Sequence, residues 1–158
     1  MDRTMQQLLR RISALEQRLD RLVSNDTADI IEWTAWTPEL YGTSVAGTIT
    51  YTTQDGWYAV VNDIVFVFGQ INVNTITVAP TGSLRIRTLP YSSSGITAMN
   101  IMGRANLSAS YTRLGARTGT GSDFLIMTEM GDDLNQNYPA GNLNTNFSVQ
   151  FSGFYQTT

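Results

Sequence analysis

The chain of 158 residues contains no cysteine, no histidine and no lysine, and its ten basic residues are all arginine. Without cysteine there is neither a disulfide framework nor a thiol nucleophile. Without histidine the usual general base is missing, and so is the commonest ligand of transition metals. Neither a cofactor nor a metal centre is therefore expected. Charged residues are scarce, at 15% of the chain. No apolar run approaches the roughly 20 residues of a membrane-crossing helix, so no membrane insertion is expected. No signal peptide is recognisable, because the N-terminal stretch is charged throughout and has no continuous apolar centre.

What remains is informative. Thirteen glycines, and the threonine, serine and asparagine that crowd the sequence after residue 24, suit an all-β domain with many turns. Residues 1–23 carry five arginines against Asp2, Glu16 and Asp20, a net +2; the rest carries five arginines against ten acids, a net −5. That acidic body lacks the clustered positive charge that phosphate binding needs, so no nucleic-acid partner is expected.

Met1, Met5, Leu8, Ile12, Leu15, Leu19 and Leu22 recur at alternating spacings of four and three. This is a heptad seam with Met5, Ile12 and Leu19 at a, and Met1, Leu8, Leu15 and Leu22 at d. Arg11 falls at g and Glu16 at e, placed to pair across a parallel interface. The arginine methylenes would also cover the wide core of a trimer. Within it, Arg11-Ile12-Ser13-Ala14-Leu15-Glu16 resembles the signature of short parallel three-stranded coiled coils. The expectation is a homotrimer held through Met5, Leu8, Arg11, Ile12, Leu15, Glu16, Leu19 and Leu22. An amphipathic helix lying on its own domain stays open as an alternative. The narrow stripe, to which only Leu9 and Val23 add, favours the coiled coil.

Three segments follow: a stalk over 1–23, a linker over 24–29 beginning Ser24-Asn25-Asp26-Thr27, and a single β domain over 30–158. Extended segments are predicted at Ile30–Trp36, stopped by Pro38, and at Thr48–Thr53. Gln54-Asp55-Gly56 reads as a tight turn into Trp57–Val61. Ile64–Val73 is the most apolar strand, expected to be central and buried on both faces. Ser83–Leu89 sets Leu84 and Ile86 against Arg85 and Arg87. Shorter strands are expected near Ile96–Met102, Asn106–Thr112 and Asp123–Glu129. The plainest half-buried strand is Asn146–Tyr155, where Phe147, Val149 and Phe151 alternate with polar residues. Eight to ten strands without crossover helices make an antiparallel β-sandwich or jelly roll.

Several stretches carry a resemblance: Trp36-Thr37-Pro38-Glu39-Leu40, Gly47-Thr48-Ile49-Thr50-Tyr51, and Gly56-Trp57-Tyr58 running on to Phe68. With Gly82-Ser83-Leu84-Arg85-Ile86-Arg87-Thr88-Leu89-Pro90-Tyr91 and Phe151-Ser152-Gly153-Phe154-Tyr155, their order resembles the C-terminal knob domains of tailed-phage fibres and other virion appendages. Val61-Asn62-Asp63 departs from the Gly-Asn step usual there. The resemblance spans Trp33 to Tyr155. It implies a trimeric, non-enzymatic knob of jelly-roll type on the virion exterior, made in the host cytoplasm.

Two roles fit that implication. One is a fibre-type adhesin contacting host-surface carbohydrate; the other is a capsid decoration, or cement, protein that reinforces the head. In either, the N-terminal helix is the expected anchor to other virion proteins. A third class, a glycan depolymerase, would need two carboxylates, and the candidates are Asp123, Glu129, Asp132 and Asp133. No catalytic residue is expected, since Asp132-Asp133 reads as a solvated turn and no long repeat is present. Asp133, Asn135 and Asn137 alternate like the start of a calcium loop, but Tyr138 and Asn144 occupy the positions of its glycine and closing glutamate. The polar stretch Met130–Asn144 is the expected exposed tip, with Asp132, Asp133, Asn135, Asn137 and Tyr138 as its contacting residues. Tyr111 is a second candidate platform, whereas Trp33, Trp36, Trp57 and Tyr58 are assigned to core or subunit interface.

Overall fold

The computed structural model describes residues 3–26, 31–104, 111–131 and 134–158. The chain divides into two units, Met1–Ile31 and Glu32–Thr158. The first unit is one helix, α1, over Arg3–Asp26. All eight residues assigned to the trimer seam and its flanks lie on it. Ile12, Leu15 and Leu19 are 45%, 62% and 60% exposed, a stripe of apolar side chains open to solvent. The helix runs three residues beyond Val23, through Ser24-Asn25-Asp26, which were expected to open the linker. Such residues favour caps but are tolerated in a last turn, where helix boundaries are least determined by sequence.

The second unit contains β1 (Thr34–Trp36), β2 (Glu39–Gly42), β3 (Thr48–Val61), β4 (Ile64–Val78) and β5 (Leu84–Arg87). It continues with β6 (Ala98–Arg104), β7 (Arg113–Thr118), β8 (Leu125–Gly131), β9 (Leu134–Asn137) and β10 (Ser148–Gln156). All pairings are antiparallel, in the order β1-β3-β4-β10-β6-β7-β8-β5-β2, with β9 added to β8. The mainly antiparallel β expectation holds.

β1 and β2 are the two ends of that order, yet only Thr37 and Pro38 separate them in the chain. The sheet must therefore roll up until its first and last strands meet. Side chains from β3 hold the closure. The Leu40 N–H donates to Tyr51 Oη at 3.1 Å, and Gln54 Nε2 donates to the Pro38 carbonyl at 3.0 Å. Inside the roll, Val65, Val67 and Ile71 of β4 and Val149 and Phe151 of β10 join Leu84, Ile86, Leu125 and Met127 from the other side. Burying each such side chain stabilises the fold by roughly 1.5–3 kcal/mol. Alternation worked as expected on β5 and β10: Leu84 and Ile86 are fully buried and alternate with the half-buried Arg85 and Arg87, and Gln150 and Ser152 point outward.

Three expectations need correction. Gln54-Asp55-Gly56 is no turn: β3 runs unbroken through it, and the hairpin closes instead at Asn62-Asp63, where Asn62 takes φ 55°. The register shifts between Tyr51 and Thr53. That bulge reverses which residues face inward, so one long strand reads in sequence as two short ones. Second, β4 is central but buried on one face only. Phe66 and Phe68 are 37% and 42% exposed on the other.

Third, Met130–Asn144 is not a solvated loop. β8 ends at Gly131, β9 pairs back onto it, and a 3-10 turn over Ala140–Asn142 follows, with Tyr138, Ala140 and Leu143 buried. Polar spacing hid three apolar anchors. The strand expected near Asn106–Thr112 falls mostly outside the described residues, and β7 begins just after it.

Candidate functional site

On the outer face, β3, β4, β10 and β6 lie side by side and their register builds two rungs of side chains. Trp57 stands opposite Phe68, Phe68 opposite Ser152, and Ser152 opposite Asn100. The next rung is Asp55, Gln70, Gln150 and Met102. Because strand residues two apart share a face, both rungs point outward. Together they line a groove of about 420 Å³.

Trp57 and Phe68 remain 42% exposed and Met102 68%. The Trp33 ring meets Phe68 edge-on at 5.1 Å and extends the aromatic side, and Phe66 lies beside Phe154 at 6.1 Å. Within the single chain Trp33 and Trp57 are therefore not core residues, and both lie on an exposed aromatic surface. Beyond Asp55 and Gln70 the face turns polar and self-satisfied. Asn72 Nδ2 donates to Thr53 Oγ1 at 3.1 Å, and the Ser148 hydroxyl donates to Asn72 Oδ1 at 2.6 Å. The outer face thus grades from aromatic to polar along its strands, with the groove at the change.

The expected tip fares differently. Tyr138 is fully buried, correcting its placement among exposed residues: it packs on Phe147 at 6.0 Å and its hydroxyl donates to the Asn142 carbonyl at 3.2 Å. A large ring beside Pro139 and Ala140 gains more from the core than from water. Asp132 and Asp133 lie outside the described residues. Asn135 and Asn137 sit on β9, opposite Met130 and Thr128, so they belong to an extended strand rather than the curled loop a calcium ion needs. Asn137 is exposed and Tyr111 half-buried.

The two candidate acids among the described residues, Glu129 and Asp123, stand apart. Glu129 is fully buried on β8 and accepts a hydrogen bond from Gln136 Nε2 at 3.0 Å. Asp123 is exposed in the turn before β8. The groove itself has one carboxylate among its lining residues, Asp55. Among the described residues no three of aspartate, glutamate, histidine or cysteine cluster as metal ligands, and no helix is long and apolar enough to cross a membrane. The groove went unpredicted because its members come from four strands far apart in the chain. The clue in sequence was modest: Phe66 and Phe68 on the second face of the most apolar strand, which could equally mean burial.

No protein-family model matches the chain, and no curated protein sequence does. Among solved structures it is similar to the crystal structure of the Dettilon tailspike protein (gp208), with a TM-score of 0.64 at 17% sequence identity. The match covers 79% of this chain and 23% of the tailspike, so the chain spans about a quarter of that protein's length. The likeness is one of fold: this chain carries a fold like that of part of the tailspike.

Proposed function

We propose that the chain is a structural subunit of a phage virion: a homotrimeric tail appendage that sits on the particle exterior and contacts host-surface carbohydrate without cleaving it. The observation that carries this reading is the fold shared with a tailspike over 79% of the chain. The open stripe of Ile12, Leu15 and Leu19 supports the trimer, because three such helices can bury it in a parallel coiled coil. Arg11 of each chain then pairs with Glu16 of the next. The rolled sheet serves as a jelly-roll-like knob, and the basic outer face of the helix docks on other virion proteins. A single groove carboxylate suits binding better than hydrolysis, which uses a pair.

Labelling intact particles with an antibody to the chain tests the role. Label on the tail, with adsorption to host cells blocked, is the expected result. Label on the head, with antigen-free heads losing DNA on heating, would replace this reading with the capsid-cement one.

A further inference from the structure

We infer that the groove on the outer face of β3, β4, β10 and β6 is a binding site for uncharged glycans, with Trp57 as the stacking surface and Gln70 and Gln150 as the groups that read hydroxyls. This rests on the proposed contact with host carbohydrate and specifies where it occurs and which sugars it admits. The site follows from register. Four neighbouring strands about 4.8 Å apart, with rungs about 6.7 Å apart, give a shallow platform roughly 14 Å long. That footprint accepts a short run of sugar rings.

The chemistry of the platform is divided in the way a sugar is. Trp57 and Phe68 offer ring faces to the C–H side of a pyranose, and Met102 offers a polarisable edge. Gln70, Gln150 and Asn100 offer side-chain amides, each both donor and acceptor, and a hydroxyl likewise donates and accepts. Asp55 accepts only. No basic residue lines the groove, and the chain from residue 24 onward carries five arginines against ten acids. A ligand bearing carboxylate, phosphate or sulfate therefore meets a negative charge and finds no counter-charge.

The test uses the full-length protein on a printed array of neutral and acidic bacterial polysaccharides, alongside Trp57→Ala, a Gln70→Ala/Gln150→Ala pair and Asp55→Asn. Melting temperature and sedimentation mass are measured for each. The parent should bind neutral members only. Trp57→Ala and the double amide variant should each weaken binding at least tenfold with melting temperature and mass preserved, and Asp55→Asn should admit acidic members. Binding to no neutral member, a preference for acidic ones, or undiminished binding by Trp57→Ala would overturn the inference. A changed mass in Trp57→Ala would also overturn it and make the groove a contact between copies of the chain. If antibody still labels the tail and blocks adsorption while Trp57→Ala binds normally, the site falls and the appendage role stands. If the label is on the head, that role falls whatever the array shows.

Discussion

Gly56 and Gly69 stand directly opposite one another in the β3–β4 ladder, and the space left by their missing side chains is filled by two aromatic rings. A Cβ on Gly56 would lie 2.6 Å from Trp36 Nε1, and one on Gly69 would lie 2.5 Å from Phe151 Cζ. The two rings meet edge-on at 6.0 Å, joining β1 to β10 across the inside of the roll. The glycine that looked like a turn is there to admit a ring.

Adding a methyl at either glycine should therefore overpack the roll. Gly56→Ala and Gly69→Ala are each expected to cost about 1–3 kcal/mol in denaturant unfolding. Gly95→Ala, where nothing lies within 4 Å of the new Cβ, should stay within about 0.5 kcal/mol of the parent. Equal stability of all three variants would contradict the packing described.

The seam of α1 makes the oligomer testable. Ile12→Asp places a charge at the centre of the expected interface, so sedimentation at micromolar concentration should shift from a trimer toward a monomer. Helical circular dichroism should fall with it, because an isolated three-heptad helix is marginal in water. A parent that already sediments as a monomer would refute the coiled coil.

Tyr155 should make the fold sensitive to alkali. Burial pushes its phenol up to about 12, outweighing the hydrogen bond with the Tyr91 backbone, which lowers it. The hydroxyl donates to the Tyr91 carbonyl at 3.0 Å and accepts from the Tyr91 N–H at 3.4 Å. The folded state holds this proton more tightly than an unfolded tyrosine, which titrates near 10. The contribution is thus complete below pH 10 and lost as pH rises toward 12, an effect of roughly 2–3 kcal/mol. Unfolding midpoints of Tyr155→Phe, followed from pH 8 to 12, should fall less steeply than those of the parent. Tyr51, also raised by burial, should leave part of the slope in place.

A smaller effect is expected where β2 meets β5. Glu39 lies opposite Arg87 and receives two hydrogen bonds, from Nε at 2.9 Å and from Nη2 at 2.7 Å. The side chains are 40% and 43% exposed, so solvent screens the pair. Glu39→Ala should cost no more than about 1 kcal/mol in low salt, and the difference should shrink at 1 M salt.

Legibility in sequence tracked locality. The helix α1 and the alternation of β5 and β10 depend on neighbours a few positions apart, and both were readable. β3 was misread because a bulge shifts its phase at Thr52, and a phase shift and a turn look alike without the partner strand. Tyr138 was misread because its asparagine-rich surroundings suggest water, while its burial is set by Phe147 and by the return of β9 onto β8.

By itself the sequence determined a mainly β chain with a heptad-bearing helix, because periods of two and of three and a half are properties of consecutive residues. It also showed that this chain has no imidazole and no thiol to contribute. Only the tertiary structure decided that Trp57, Phe68, Gln70, Gln150 and Asp55 share one groove. That grouping depends on which strands pair and in what register, and a slip of one residue would have turned every one of them to the other face.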